Sequence, residues 1–306
     1  MSKNYKNHLS SYLTWDQKKH SEEWLLFSDN LGEHICIDET ALSDGELFTL
    51  VSNGSAKTQK GCLTAVIKGT KSSDIIKVLE KIPLEKRRQV KEVSVDMANN
   101  MEKVARACFP EALIITDRFH VAKLINEAVQ TVRIKHRWEA IEEENKKVKS
   151  CKQEHEKYQA ETYRNGDTKK QLLARSRYLL FKSSSKWSVS QKERAEILFK
   201  AFPDIGSAYK LSMMFRNIYE TSETREQAEQ AYLTWCRKIR ERSLSVFCTA
   251  AHSIESHKES VLNFFANRTT NALAETLNSK IKAFRSVFRG VRDLSFFLYR
   301  VSLILA

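Results

Sequence analysis

Proline and glycine are scarce in this chain, three and eight residues among 306, which excludes a loop-dominated architecture and leaves helix as the expected main content. Cysteine pairing is absent as well. Cys36, Cys62, Cys108, Cys151, Cys236 and Cys248 are scattered without a CxxC spacing, which argues against a zinc ribbon and a disulfide framework and for reduced thiols packed in cores. No apolar run reaches the length of a membrane span. The start, "MSKNYKNHLSSYLTWDQKKH", has no signal-peptide core, and the end, "FFLYRVSLILA", is short and broken by Arg300. No membrane partner is expected, and the cytoplasm is the default location. The sequons at Asn53 and Asn267 then read as chance matches. There is no internal repeat, no low-complexity segment and no motif for a serine or tyrosine nucleophile.

What is present is positive charge. The 51 Lys and Arg exceed the 38 Asp and Glu by 13, which favours a polyanionic partner, nucleic acid first. Charge alone leaves open a basic protein with no such ligand. Hydrophobic residues at 42% over this length are enough for a sizeable core.

Residues 33–70 hold three apolar runs separated by Gly, Asn, Ser and Asp clusters, which predicts a meander of short strands. "TKSSDIIKVLEKI" then carries Ile75, Ile76, Leu79 and Ile82 at helical spacing behind Ser72, Ser73 and Asp74, and Pro83 ends it. "VKEVSVD" and "EALIITD" each read as a buried strand closing on an acid, with a helix between them. The order is βββαβαβ. From about residue 122 to 262 helical periodicity and charge dominate, with Trp187 and Trp235 expected as interhelix anchors rather than base-stacking groups. The expected organisation is a leader over 1–30, a strand-bearing core over 31–125, an all-helical block over 126–264 and closing helices over 265–306. In the last stretch Thr269, Thr270 and Asn271 are cap candidates. Leu273, Leu277, Ile281 and Phe284 form an apolar stripe from which Glu275 is excluded.

Three acids mark three predicted strands: Asp38 in "ICIDE" at or near the end of the first, Asp96 in "VSVD" at the end of the fourth and Asp117 in "IITD" at the end of the fifth. An Asp at a strand end is ordinarily a turn or cap residue, and for Asp117 a cap on a helix starting at Arg118 is one of two readings. The other is a metal site. If the first strand lies beside the fourth, Asp38 and Asp96 converge at one sheet edge, and Glu275 on a late helix completes the set. Magnesium selects hard oxygen ligands, and a pair of such ions serves both oxygens of an in-line phosphoryl displacement.

"ICIDE", "VSVDMANNM", "LIITDRFHV" and "RTTNALAETLNSKIK" together resemble the DDE transposases of bacterial insertion sequences, in particular the ISL-three superfamily and its short ISAon-one-like branch. The likeness covers residues 22 to 306, and the motifs occur in the family's order. It implies an α/β, RNase H-like mixed sheet interrupted by a large helical insertion before the last catalytic helix. It further implies two Mg2+ or Mn2+ ions held by Asp38, Asp96 and Glu275, with Asp117 and His120 at the site edge. Double-stranded DNA, both transposon ends and target, would be the partner, bound by a homo-oligomer in the bacterial cytoplasm and nucleoid. His120 has two readings, a structural histidine or a contact to phosphate or carboxylate.

Arg118, Arg268, Lys280, Lys282, Arg285, Arg289 and Arg292 are candidate phosphate contacts, against the alternative of a solvated helix face. Thr276 stands where the family carries Gly, and "LNSK" where it carries an Asn pair before Lys. No zinc-binding or helix-turn-helix region precedes Asp38. A separately encoded recognition protein or a truncated copy would account for that. The rival functions are a DNA-binding remnant without catalysis and another RNase H-fold nuclease, which would cut without joining.

Overall fold

A computed structural model describes the chain except residues 1–3, 43–45, 57–58, 243, 269–271 and 289–292, and the side chains of 272–273. It divides into two compact units, residues 1–120 with 259–306, and residues 121–258.

The first unit is built on a six-stranded mixed sheet of order β1-β4-β3-β2-β5-β6. Its strands are β1 (Trp24–Leu26), β2 (His34–Ala41), β3 (Leu47–Asn53), β4 (Leu63–Lys68), β5 (Glu92–Val95) and β6 (Leu113–Thr116). The predicted meander is β2-β3-β4, antiparallel throughout, and β5 and β6 add in parallel to β2. The sequence reading missed β1, which pairs with β4. Three residues inside an otherwise polar leader are too few to show alternation.

Helices α1 (Ser72–Leu79), α2 (Leu84–Arg87) and α3 (Asn99–Cys108) connect the strands. The capping predicted for α1 does not form: Lys71 is the N-cap and its side chain makes no cap bond. Period-two alternation divides the side chains of the sheet between two cores. Ile35 and Ile37 join Val93, Val95, Ile75, Leu79, Met101 and Val104 on one face of the sheet. On the other face Phe48, Leu50 and Leu63 pack against the closing helices. Each such side chain, fully buried, contributes about 1.5–3 kcal/mol.

Those closing helices follow the insertion, which begins with α4 (Arg118–Gln153) and continues through α5 (Lys169–Arg175), α6 (Val189–Ala201), α7 (Pro203–Thr221), α8 (Arg225–Arg242) and α9 (Ser245–Glu255). The chain then returns to the sheet as α10 (Lys258–Asn267), α11 (Ala272–Val287) and α12 (Leu294–Leu305). Leu277 and Ile281 of α11 and Phe297, Leu298 and Val301 of α12 supply the second core. Of the predicted stripe, Phe284 packs against that core, while the side chain of Leu273 and the cap candidates Thr269, Thr270 and Asn271 lie outside the described residues. The segment expected to be a leader is anchored to α12: Tyr12 Oη donates to Ser295 Oγ at 2.8 Å and its ring stands edge-on to Phe296.

The second unit is helical. Capping boxes at Thr168/Gln171 and Ser188/Gln191 start α5 and α6. Asp167, fully buried, accepts from Arg194 at 2.9 Å and also from Arg175. Trp235 is fully buried on α8 and donates to the Leu211 carbonyl of α7 at 2.9 Å. Trp187 lies outside a helix, between Lys186 and α6, where its ring meets Tyr209 and its indole N–H donates to the Leu179 carbonyl. Both tryptophans are packing anchors. The cysteines are all free, but only Cys36, Cys62 and Cys108 are buried; Cys151 and Cys236 are half-buried and Cys248 is exposed. No helix among the described residues is long and apolar enough to cross a membrane.

Candidate active site

Register places the acids. Strand β2 pairs with β5 at His34–Glu92 and Cys36–Ser94, and β5 pairs with β6 at Ser94–Ile115 and Val95–Thr116. Continued by two residues from Cys36 and Ser94, and by one from Val95, this register puts Asp38, Asp96 and Asp117 in a single row across three adjacent strands. Neighbouring strands lie about 4.8 Å apart, so the row crowds three carboxyl groups on the face that α11 covers.

Asp38, expected at or near the end of its strand, sits inside β2, which continues three residues further to Ala41 because β3 pairs with it throughout. What ends near Asp38 is the parallel partner, since β5 stops at Val95. Asp38 Oδ1 accepts the Glu39 N–H at 2.8 Å, and Oδ2 accepts from the amide of Asn278. Asp96 Oδ1 accepts the Ala98 N–H at 2.9 Å in the turn before α3. Asp117 is buried, and its own N–H donates to the Val95 carbonyl at 2.8 Å, which extends the β5–β6 ladder. Its Oδ1 accepts the Phe119 N–H at 3.2 Å, so it caps α4, while its Oδ2 lies 3.2 Å from His120 Nδ1.

Glu275 comes from the first turn of α11. The charges of Asp117, His120 and Asp38 all act on it. Burial first, and then repulsion from Asp96 and Asp117, pushes the Asp38 carboxyl above its ordinary range, against the Glu39 N–H and His120. Glu275 is likewise raised, by burial and by Asp117 and Asp38. The hydrogen bond to Asp117 raises His120 in spite of burial, with Asp38 and Asp96 adding to it. Sequence reasoning missed Glu39, next in the chain, whose carboxyl is also raised by burial and by Asp96.

The donor chemistry fits a divalent cation of the magnesium type: hard carboxylate oxygens crowd together, and the nearby Cys36 thiol, pushed up to about 12 by burial and by Asp117 and Asp38, stays protonated. The carboxylates share one electrostatic neighbourhood but do not converge on one point. Among the described residues no group of three or more His, Cys, Asp or Glu is placed to hold a metal ion.

A family model described as a transposase, of the DDE type and the ISL3 (ISL-three) group, matches residues 35–301. The chain belongs to the ISL3 family of DDE transposases. Among curated proteins, the transposase for insertion sequence element IS1001 of Bordetella parapertussis is 21% identical to it over 270 residues, 88% of this chain and 60% of the relative. The transposase for IS1557 of Mycobacterium tuberculosis is 24% identical over 210 residues, 68% of this chain and 46% of the relative. The chain therefore spans between about half and three-fifths of the length of these curated relatives.

The basic residues singled out in the sequence fall into different settings. Arg118 opens α4 beside Asp117. Arg268 follows α10 with φ of 54°, its N–H donating to the Phe264 carbonyl at 2.8 Å, the left-handed residue that closes the helix. Lys280 and Lys282 are exposed on α11, whereas the Arg285 guanidinium lies over the Phe297 ring, 4.8 Å from its centre. Arg289 and Arg292 lie outside the described residues. Asn278 was in view only as part of "LNSK". Its spacing of three from Glu275, one helix face, was the available signal for a place in the site.

Proposed function

We propose that this chain is the catalytic part of an insertion-sequence transposase, cutting transposon-end DNA and joining the freed 3′-hydroxyl to target DNA. The observation that carries the reading is the row of Asp38, Asp96 and Asp117 set by strand register, with Glu275 electrostatically joined to it from α11. The strand order supports an RNase H-like core: an antiparallel meander β4-β3-β2 extended by parallel β5 and β6.

Asp38, Asp96 and Glu275 would hold two divalent cations, Mg2+ or Mn2+, which supply polarisation of the attacking and leaving phosphate oxygens. Carboxylates gathered this closely repel one another, and a divalent countercharge is what would draw them together. Asp117 caps α4 and fixes His120 at the edge of the row. With its pKa raised, His120 holds a proton more readily than an ordinary histidine. Its Nδ1–H then donates to Asp117, and Nε2–H is left to orient a phosphate oxygen. Cutting and joining are both phosphoryl transfers without a covalent protein intermediate, so the row needs no serine or tyrosine beside it.

Lys280, Lys282 and Arg268 would neutralise DNA phosphates near α11, joined by Arg118, Arg285, Arg289 and Arg292. A second copy would hold the other transposon end, and a separately encoded protein would supply recognition of the ends.

The test uses DNA carrying the element's ends. With Mg2+ the wild-type chain nicks it, and Asp38→Asn, Asp96→Asn and Glu275→Gln each reduce nicking by about 100- to 1,000-fold, the scale on which removal of transition-state electrostatics acts, while DNA binding survives. Full activity in all three would end the assignment. Nicking without strand transfer would identify a nuclease of the same fold instead, and binding without nicking a remnant.

A further inference from the structure

Helix α11 carries a second polar group onto the acidic row. Asn278 follows Glu275 by three residues and so shares its face of the helix, between Leu277 and Ile281, whose side chains are buried in the second core. Its Nδ2 donates to Asp38 Oδ2. The orientation is fixed by chemistry, because an ionised carboxylate only accepts and the amide must present its N–H side. The other end of the amide, Oδ1, is buried without a hydrogen-bond partner among the described residues. A buried acceptor left over in this way is unfavourable and uncommon in native proteins, and this one is a single carbon atom away from the group that holds Asp38.

We propose that Asn278 is a positioning residue for the cation site. Its N–H on Oδ2, opposite the Glu39 N–H on Oδ1, fixes how the Asp38 carboxylate is turned and so where the remaining lone pairs meet a divalent ion, and its Oδ1 accepts a hydrogen bond from a water in the ion's shell. The inference rests on the reading of Asp38, Asp96 and Glu275 as cation ligands. Outer partners of this kind set ligand orientation and typically change metal affinity by about 10- to 100-fold when removed. A packing residue would not alter metal affinity.

The experiment is a Mn2+ titration of the full chain without DNA, with free Mn2+ read from its electron paramagnetic resonance signal. Asn278→Ala is expected to weaken Mn2+ binding by about tenfold or more, and Asp96→Asn to remove it. Wild-type affinity in Asn278→Ala, with binding lost in Asp96→Asn, overturns the role of Asn278 and leaves the site intact. Wild-type affinity in Asp96→Asn overturns the reading of the site and this inference with it. Asn278→Asp covers the case in which the alanine variant does not fold. Its carboxylate against Asp38 should lower the melting temperature in metal-free buffer and Mn2+ should restore it; a deficit that Mn2+ leaves unchanged marks a packing residue and overturns the proposal.

Discussion

Asp38 is placed for charge at the expense of stability. Its carboxyl and that of Glu275 are raised by burial and by like charge, so the folded chain binds protons there more tightly than the unfolded chain does. The sign follows: unfolding free energy contributed by these groups falls as pH rises from the ordinary carboxylate value through the raised one. Asp38→Asn should therefore melt higher than wild type at pH 8 in metal-free buffer, and the difference should shrink toward about pH 4, near the unfolded value. Thermal melts at the two pH values check it; an Asp38→Asn variant less stable than wild type at pH 8 would contradict the electrostatic account. His120 works through a gain rather than a cost. Its raised value comes from Asp117, so the stability it adds is fully present below the unfolded histidine range and is lost as pH rises through the folded value.

Individual elements of the helical unit are held by single buried groups. Asp167 ties Arg175 of α5 to Arg194 of α6 from a fully buried position. Burial alone would raise its carboxyl, but the hydrogen bonds from Arg194 and Arg175 outweigh burial and lower it. This is the opposite of Asp38: its stabilisation exists above the unfolded carboxylate value and disappears as pH falls through the lowered one. Asp167→Ala should cost on the order of 3 kcal/mol at neutral pH, measured by urea unfolding, because two guanidinium groups lose their counter-ion. Trp235 has the same standing among α7, α8 and α9, where its ring meets Phe215 at 4.8 Å and Phe247 at 6.5 Å. Trp235→Ala should cost about 3–5 kcal/mol, and Trp235→Phe, which keeps the ring but drops the bond to Leu211, clearly less.

Over the whole molecule the excess of 13 positive charges coexists with a local concentration of acids, an arrangement suited to a polyanion approaching the proposed cation site. If α11 lies along DNA, Lys282→Ala should weaken binding uniformly across sequences and reduce the slope of log affinity against log salt by about 0.9, one phosphate contact. Fluorescence anisotropy over a KCl series measures it; an unchanged slope would assign Lys282 to the solvated face. Arg285→Ala should also lower stability, since that guanidinium covers Phe297.

By itself the sequence determined the alternation of Ile35 and Ile37 with Cys36 and Asp38, the βββαβαβ order up to Asp117 apart from the short α2, and the helical character of the insertion. These depend on side-chain periodicity, which is local. It also supplied the acids that end "VSVD" and "IITD", but not their alignment. Only the tertiary structure decided that Asp38, Asp96 and Asp117 stand level, because register is set by hydrogen bonding between strands that are distant in the chain. It also decided that β1 completes the sheet, that the N-terminal segment packs on α12, and that Asn278 reaches Asp38. In each case a group far away in sequence supplies the partner, and no window of neighbouring residues contains it.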